Sequence, residues 1–215
     1  LNQDYRLVLN GDVEEGWKTR YSAILAAYES TAFEMERRFA LRGKGYYLRI
    51  YGNHDIDWAN PAKVNTYLKP IMNTPVQVYP AVMLGSRIMI AHGHQGDLHS
   101  DRRVWFSRPI VRHIWRPLQR RLQLKICSAA INNLTHRKRD QYLSEWARIN
   151  RLLLIAGHTH RALFSPGSLN THYLNEGCCV HTDGITGMEI DQGEIRLVKW
   201  SAAHRASGEI TRSVL

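Results

Sequence analysis

The chain has 215 residues, 44% hydrophobic and 22% charged, which suits one domain with a sizeable core, with or without an insertion. Its net charge of +10 directs attention to anionic partners: phosphate esters, nucleic acid or acidic lipid headgroups. Three cysteines, two of them adjacent, argue against a disulfide framework, and no Cys-x-x-Cys pair suggests a structural zinc knuckle. With no signal peptide and no apolar run long enough to span a bilayer, the reading is a cytoplasmic protein, with peripheral membrane contact open to it.

Taken in order, Tyr5 to Asn10 is a compact apolar run ending at Gly11-Asp12, which reads as a buried strand delivering a carboxylate, with Glu14 and Glu15 close behind. Thr19 to Arg42 carries apolar residues at near-helical spacing, so one long helix or two short ones are expected, closed by Gly43 and Gly45. Leu48 to Asp55, LRIYGNHD, is a second buried strand broken by Gly52 and followed at once by Asn53, His54 and Asp55. Pro61 to Ile71 reads as a short helix. Val76 to Leu84 and Arg87 to Ala91 read as two strands joined at Gly85-Ser86, and the second ends in His92-Gly93-His94. Arg151 to Ala156 is another apolar run, ending in Gly157-His158-Thr159-His160. Gly184 to Ile190 and Glu194 to Trp200 bracket Asp191-Gln192-Gly193 as a hairpin, and residues from Ser201 onward read as a poorly ordered tail. The expected organisation is a domain over residues 1–200 and a tail over 201–215.

One block breaks this rhythm. Asp101 to Asp140 holds eleven Lys or Arg against two Asp, a net of +9, nearly all of the chain's excess charge. Arg108, Arg112, Arg116 and Arg120 recur every fourth residue and would line one helical stripe, beside apolar faces that include Trp105 and Trp115. Pro109 and Pro117 make one unbroken helix unsuitable, so the block reads as an inserted pair of basic, aromatic helices.

Four apolar strands thus end in GD, GNHD, HGH and GHTH. In open α/β sheets ligands gather at the carboxyl ends of strands, so distant turns can meet. The combined inventory is Asp12, Asn53, His92, His94, His158 and His160, with His54 and Glu15. Imidazoles with carboxylate and amide oxygens suit Mn, Fe, Zn or Ni better than Ca or Mg. Two such ions about 3.5–4 Å apart can clamp a phosphoryl group, and Asp12 is the candidate bridging carboxylate. His94 reads as supporting a ligand or facing the substrate. His99, His113, His136, His172, His181 and His204 read as surface or satisfied core residues. Cys178 and Cys179 read as small buried residues, and Trp17 and Trp58 as packing near the rim.

The ordered set GD, GNHD, HGH and GHTH resembles the calcineurin-like metallophosphoesterase superfamily over most of the chain outside the basic block. The resemblance implies a four-layer α/β/β/α sandwich with a dinuclear site between two sheets, here with the basic block inserted as a helical lid. It implies that Asp12 bridges two metals, Mn first among them. Asn53, His92 and His158 would bind the second metal and His160 the first. His54 would be the catalytic histidine that protonates the leaving oxygen, and Glu15 its acidic partner. The family also has an Asp-x-His motif on a first strand, and this chain has none before Asp12. Either that strand and a helix lie upstream of the sequence, or the chain has lost the first metal and is a non-catalytic binding module.

Within the superfamily the chain looks most like the UDP-2,3-diacylglucosamine diphosphatase group, which also has GHTHR and an HG-x turn followed by a helical lid. That likeness makes Asp101, Arg102, Arg108, Arg112 and Arg161 substrate-binding candidates, with a phosphate-containing, nucleotide- or lipid-linked substrate. The group often has Arg where this chain has His54. A lipid-linked diphosphate needs an apolar wall for its chains and cations for its phosphates, and the Trp/Arg block supplies both. A nuclease or cyclic-nucleotide phosphodiesterase using the same site is the alternative, though no nucleic-acid module is recognisable.

Overall fold

The structure, a computed structural model, describes residues 4–95, 133–164, 171–181, 183–202 and 209–215. They divide into two compact units, one of residues 4–82 with 94–95, the other of residues 83–93 and 133 onward.

The first unit is built on a parallel sheet of β1 (Leu7–Asn10), β2 (Tyr47–Ile50) and β3 (Val78–Tyr79), in that order. Leu7 pairs with Tyr47 and Asn10 with Ile50, so β1 and β2 end level with each other. Parallel pairing puts both carboxyl ends on one edge, and the GD and GNHD turns therefore leave the sheet side by side. Two short helices, α1 (Tyr21–Tyr28) and α2 (Ala32–Ala40), realise the second of the two expectations for residues 19–42. Thr31, at φ −127° and ψ −95°, is the break between them.

The expected helix after Pro61 forms as α3 (Pro61–Lys63), a π turn (Val64–Leu68) and α4 (Lys69–Met72). Asn60 caps its start, accepting from the Ala62 amide at 2.9 Å, with Pro61 at the first helical position. Pro70 has no amide hydrogen to give the preceding turn, and the widened π turn just before it absorbs that missing bond. Tyr21, Ile24, Leu25, Phe33, Val64, Leu68 and Met72 close around Trp58 as the core.

Beside that core lies a buried charge network. The Arg49 side chain on β2 is fully buried and pairs with Glu14 and, at 3.3 Å, with Glu36. The Tyr47 hydroxyl donates to Glu36 at 2.5 Å, and Trp58 Nε1 donates to Glu14 at 2.7 Å. Tyr47 and Arg49 share a face of β2 because strand side chains repeat every second residue, so both reach Glu36.

A four-stranded sheet, within the second unit but for the first two residues of β4, has the order β4 (Ala81–Leu84), β5 (Ile88–Ala91), β6 (Leu153–Ala156), β7 (Tyr173–Asn175), in which β5, β6 and β7 run parallel. Helix α5 (Asn133–Ile149) packs on β6 and β7 and buries Leu143 and Ala147. A second, antiparallel sheet contains β8 (Ile185–Asp191), β9 (Glu194–Ala202) and β10 (Ile210–Val214). Gln192 and Gly193, both left-handed at φ 48° and 85°, make the tight turn between β8 and β9.

The mixed α/β class is as expected. Three local expectations are corrected. The run Val76 to Leu84 is not one strand: Val78–Tyr79 pairs with β2 while Ala81–Leu84 joins β5, and Pro80 between them has no amide to continue a ladder. The chain after Ser201 is not a disordered tail throughout, because β9 runs to Ala202 and residues 210–214 pair with it, Val214 opposite Val198. Cys178 is half-buried and Cys179 exposed, against the expected burial of both. Of the basic block, residues 101–132 lie outside the described residues, and 133–140 are the start of α5. No helix among the described residues is long and apolar enough to cross a membrane.

Candidate functional site

In the first unit the GD and GNHD turns are tied into one piece. Asp12 adopts left-handed backbone at φ 53°, and its Oδ1 accepts the His54 amide hydrogen at 2.7 Å. Asp55, fully buried, accepts from Gly52 N through Oδ1 at 2.6 Å and from Val13 N through Oδ2 at 3.0 Å. One carboxylate thereby bolts both turns together. Burial, with the nearby Glu14 and Asp12 carboxylates, pushes Asp55 up to about 6. Gly52 leaves room for Asp12: a Cβ there would sit 2.6 Å from the Asp12 nitrogen and overlap its carboxylate.

Asn53 follows, 2% exposed, and its Oδ1 is buried with no hydrogen-bond partner among the described residues. Leaving such a buried acceptor unmet costs about 1–3 kcal/mol. A cation would satisfy it.

His54 presents its imidazole on the same turn. Its Nδ1 lies 2.9 Å from Glu15 Oε1, and since a carboxylate only accepts, Nδ1 carries the hydrogen. Burial alone would push His54 down, but the Glu15 hydrogen bond and the charges of Asp12 and Glu15 outweigh it and hold the ring above its ordinary value. Burial pushes Glu15 up; the bond and charge of His54, with Lys18, outweigh that and draw it down to about 2. Each group thus shifts the other toward its charged form. Trp17 lies flat on the imidazole, centroids 4.7 Å apart and planes 16° from parallel. Its Nε1 donates to the Asn53 carbonyl at 2.5 Å.

In the second unit His92 follows β5 directly and is buried. His158 lies one residue beyond Gly157, which follows β6, and the Gly157 amide donates to the His92 carbonyl at 3.0 Å. The two imidazoles meet edge to face at 5.2 Å, each offering a ring nitrogen within 4.8 Å of the other's. His158 and His160 are both left-handed, at φ 61° and 58°. Three of the six non-glycine positive-φ residues in the described chain are therefore expected ligands, a clustering of backbone strain that functional sites show.

Helix α5 holds the GHTH turn through Asp140, 5% exposed. Its Oδ1 accepts from Thr159 Oγ1 and the Tyr173 hydroxyl, each at 2.9 Å, and its Oδ2 from Arg161 at 2.6 Å. His136, read as a surface or satisfied residue, donates Nδ1 to the Thr159 carbonyl at 2.7 Å. Asn175, at the end of β7, gives its amide hydrogens to Gly157 O and Thr159 Oγ1 at 2.8 and 3.0 Å.

The structure thus brings Asp12, Glu15, Asn53 and His54 together in one unit and His92 with His158 in the other. Arg161, expected at the substrate, spends one guanidinium nitrogen on Asp140. His94 is buried beside Tyr51, ring centroids 6.2 Å apart. Asp101, Arg102, Arg108 and Arg112 lie outside the described residues. Sequence reasoning missed Asp55, Asp140 and Asn175 as organisers of the turns, and took Trp17 for rim packing. The one signal available was the position of Asp55 inside GNHD.

Strand-end turns bearing carboxylate, amide and imidazole donors have the chemistry to hold a divalent cation. A sequence profile for calcineurin-like phosphoesterases matches residues 2–162, most of the chain, and the chain belongs to that family. Among curated proteins nothing matches it. Phosphoester hydrolysis with divalent metal is the family's activity, and the buried Asn53 oxygen, unpaired among the described residues, and the paired imidazoles are donors that fit such an ion.

Proposed function

We propose that the chain hydrolyses a phosphoester or diphosphate bond using two divalent transition ions, manganese first, with iron, zinc or nickel as alternatives. Asn53, His92 and His158 would hold one and His160 the other, with Asp12 contributing to both. The observation that carries this reading is the Asn53 amide oxygen just past β2, buried and without a hydrogen-bond partner among the described residues. When bound, the ions would neutralise phosphoryl charge and make water a competent nucleophile near neutral pH.

The chain's own residues do the rest. Asp55 keeps the Asp12 and Asn53 turns in register. His54, with Nδ1 tied to Glu15, delivers its proton from Nε2 to the leaving oxygen, and Glu15 stabilises the protonated ring until then. The hydrogen bond to Glu15 suits that task, because it favours the protonated ring.

The substrate is a diphosphate linked to a nucleotide or a lipid, of the UDP-diacylglucosamine kind, bound by Asp101, Arg102, Arg108, Arg112 and Arg161 at a membrane surface. The +9 charge of residues 101–140 with its interleaved tryptophans supports an amphipathic anion. A panel of a sugar-nucleotide diphosphate, a monoester and a bis-ester, run on wild type, Asn53→Ala and His158→Ala, tests the reading. Preferred cleavage of the diphosphate, falling at least 100-fold in both variants, is expected. Preference for the bis-ester would favour the phosphodiesterase alternative, and variants as active as wild type would remove the assigned site.

A further inference from the structure

We infer that Trp17 is a positioning residue for the proton-donating imidazole, an inference that rests on His54 being the donor as proposed above. The His54 side chain is 31% exposed, and among the described residues its ring is hydrogen-bonded at Nδ1, to Glu15. A ring held at one atom can still pivot about that bond and swing Nε2 away from the leaving oxygen. The indole removes this freedom by lying against the whole ring face, 4.7 Å away and within 16° of parallel.

Trp17 is itself fixed at two points, and both belong to the same machinery. Its Nε1 donates to the carbonyl of Asn53, and its backbone amide donates to Glu15 Oε1 at 3.2 Å, the oxygen that holds His54. One residue therefore touches the proton donor, the donor's carboxylate and the backbone of a proposed ligand. An electron-rich indole face also favours the charged ring over the neutral one. Gly16 suits the arrangement: a Cβ there would overlap the Tyr21 hydroxyl oxygen and fall 2.7 Å from the His54 carbonyl oxygen, so a side chain at this position would crowd the turn that carries Trp17.

The test compares kcat and KM for two phosphate esters that differ only in leaving group, an activated nitrophenyl ester and an unactivated alkyl ester. General acid catalysis contributes about 10²–10⁴-fold, and it matters where the leaving group is poor. Trp17→Ala should lower kcat for the alkyl ester at least tenfold and leave the nitrophenyl ester within about threefold, with KM and bound manganese unchanged. Trp17→Phe, which keeps the plate and loses the Nε1 anchor, should fall between wild type and Trp17→Ala, and it carries the same test should the alanine variant not fold. Equal losses for both esters, or no loss, overturn the inference. His54→Gln is the reference arm. If it shows the leaving-group-selective loss and Trp17 variants do not, the Trp17 inference alone fails. If His54→Gln shows none, the donor assignment fails and takes this inference with it.

Discussion

Asp55 and Arg49 show how much of the site depends on side chains that offer no donor to a metal. Asp55 links residues 42 positions apart, Val13 and itself, so its role comes from parallel pairing of β1 and β2 and could not be read from GNHD alone. Gly52 is set by the same closeness. Gly52→Ala should displace the Asp12 carboxylate, and calorimetric titration should show manganese binding weakened at least tenfold; unchanged affinity would mean the Asp12 turn can move aside at no cost. Arg49 neutralises two buried acids. Removing one partner of a buried pair costs about 3–5 kcal/mol, so Arg49→Leu should lower unfolding stability by that amount in a urea titration.

At the scale of elements, legibility followed how local the cause was. The strand ends carrying GD, GNHD, HGH and GHTH were readable because apolar runs and the glycines that stop them lie within a few residues. The split at Pro80 was readable in principle from the missing amide, but the β-rich flanks masked it. Strand β10 was not readable, because all five of its residues are exposed and it pairs through backbone rather than through an apolar face. Helix α5 was half-hidden inside a block read for its charge, and its buried Asp140 was taken with that block. Yet this aspartate supports the GHTH turn from 19 residues away. Loss of such a support behind a metal ligand typically costs 10–100-fold in affinity. Asp140→Ala should therefore weaken manganese binding by about that factor, and Asp140→Asn less, both measured on protein whose far-ultraviolet circular dichroism is unchanged.

For the whole molecule, the donor types were legible because ligation and proton transfer demand particular chemistry, and only a few residues in the chain supply it at strand ends. Their supports were not, since hydrogen bonds between Asp55 and Val13, or Asp140 and Tyr173, join segments dozens of residues apart. The charge of +10 told of an anionic partner and nothing of its shape. The most direct measurement is metal add-back: wild-type protein stripped by chelator, then titrated with manganese while hydrolysis of a phosphate ester is followed. The account predicts no turnover in the stripped protein, saturable recovery with manganese, and no recovery in Asn53→Ala. Full turnover in the stripped protein, or none at any manganese concentration, would contradict it.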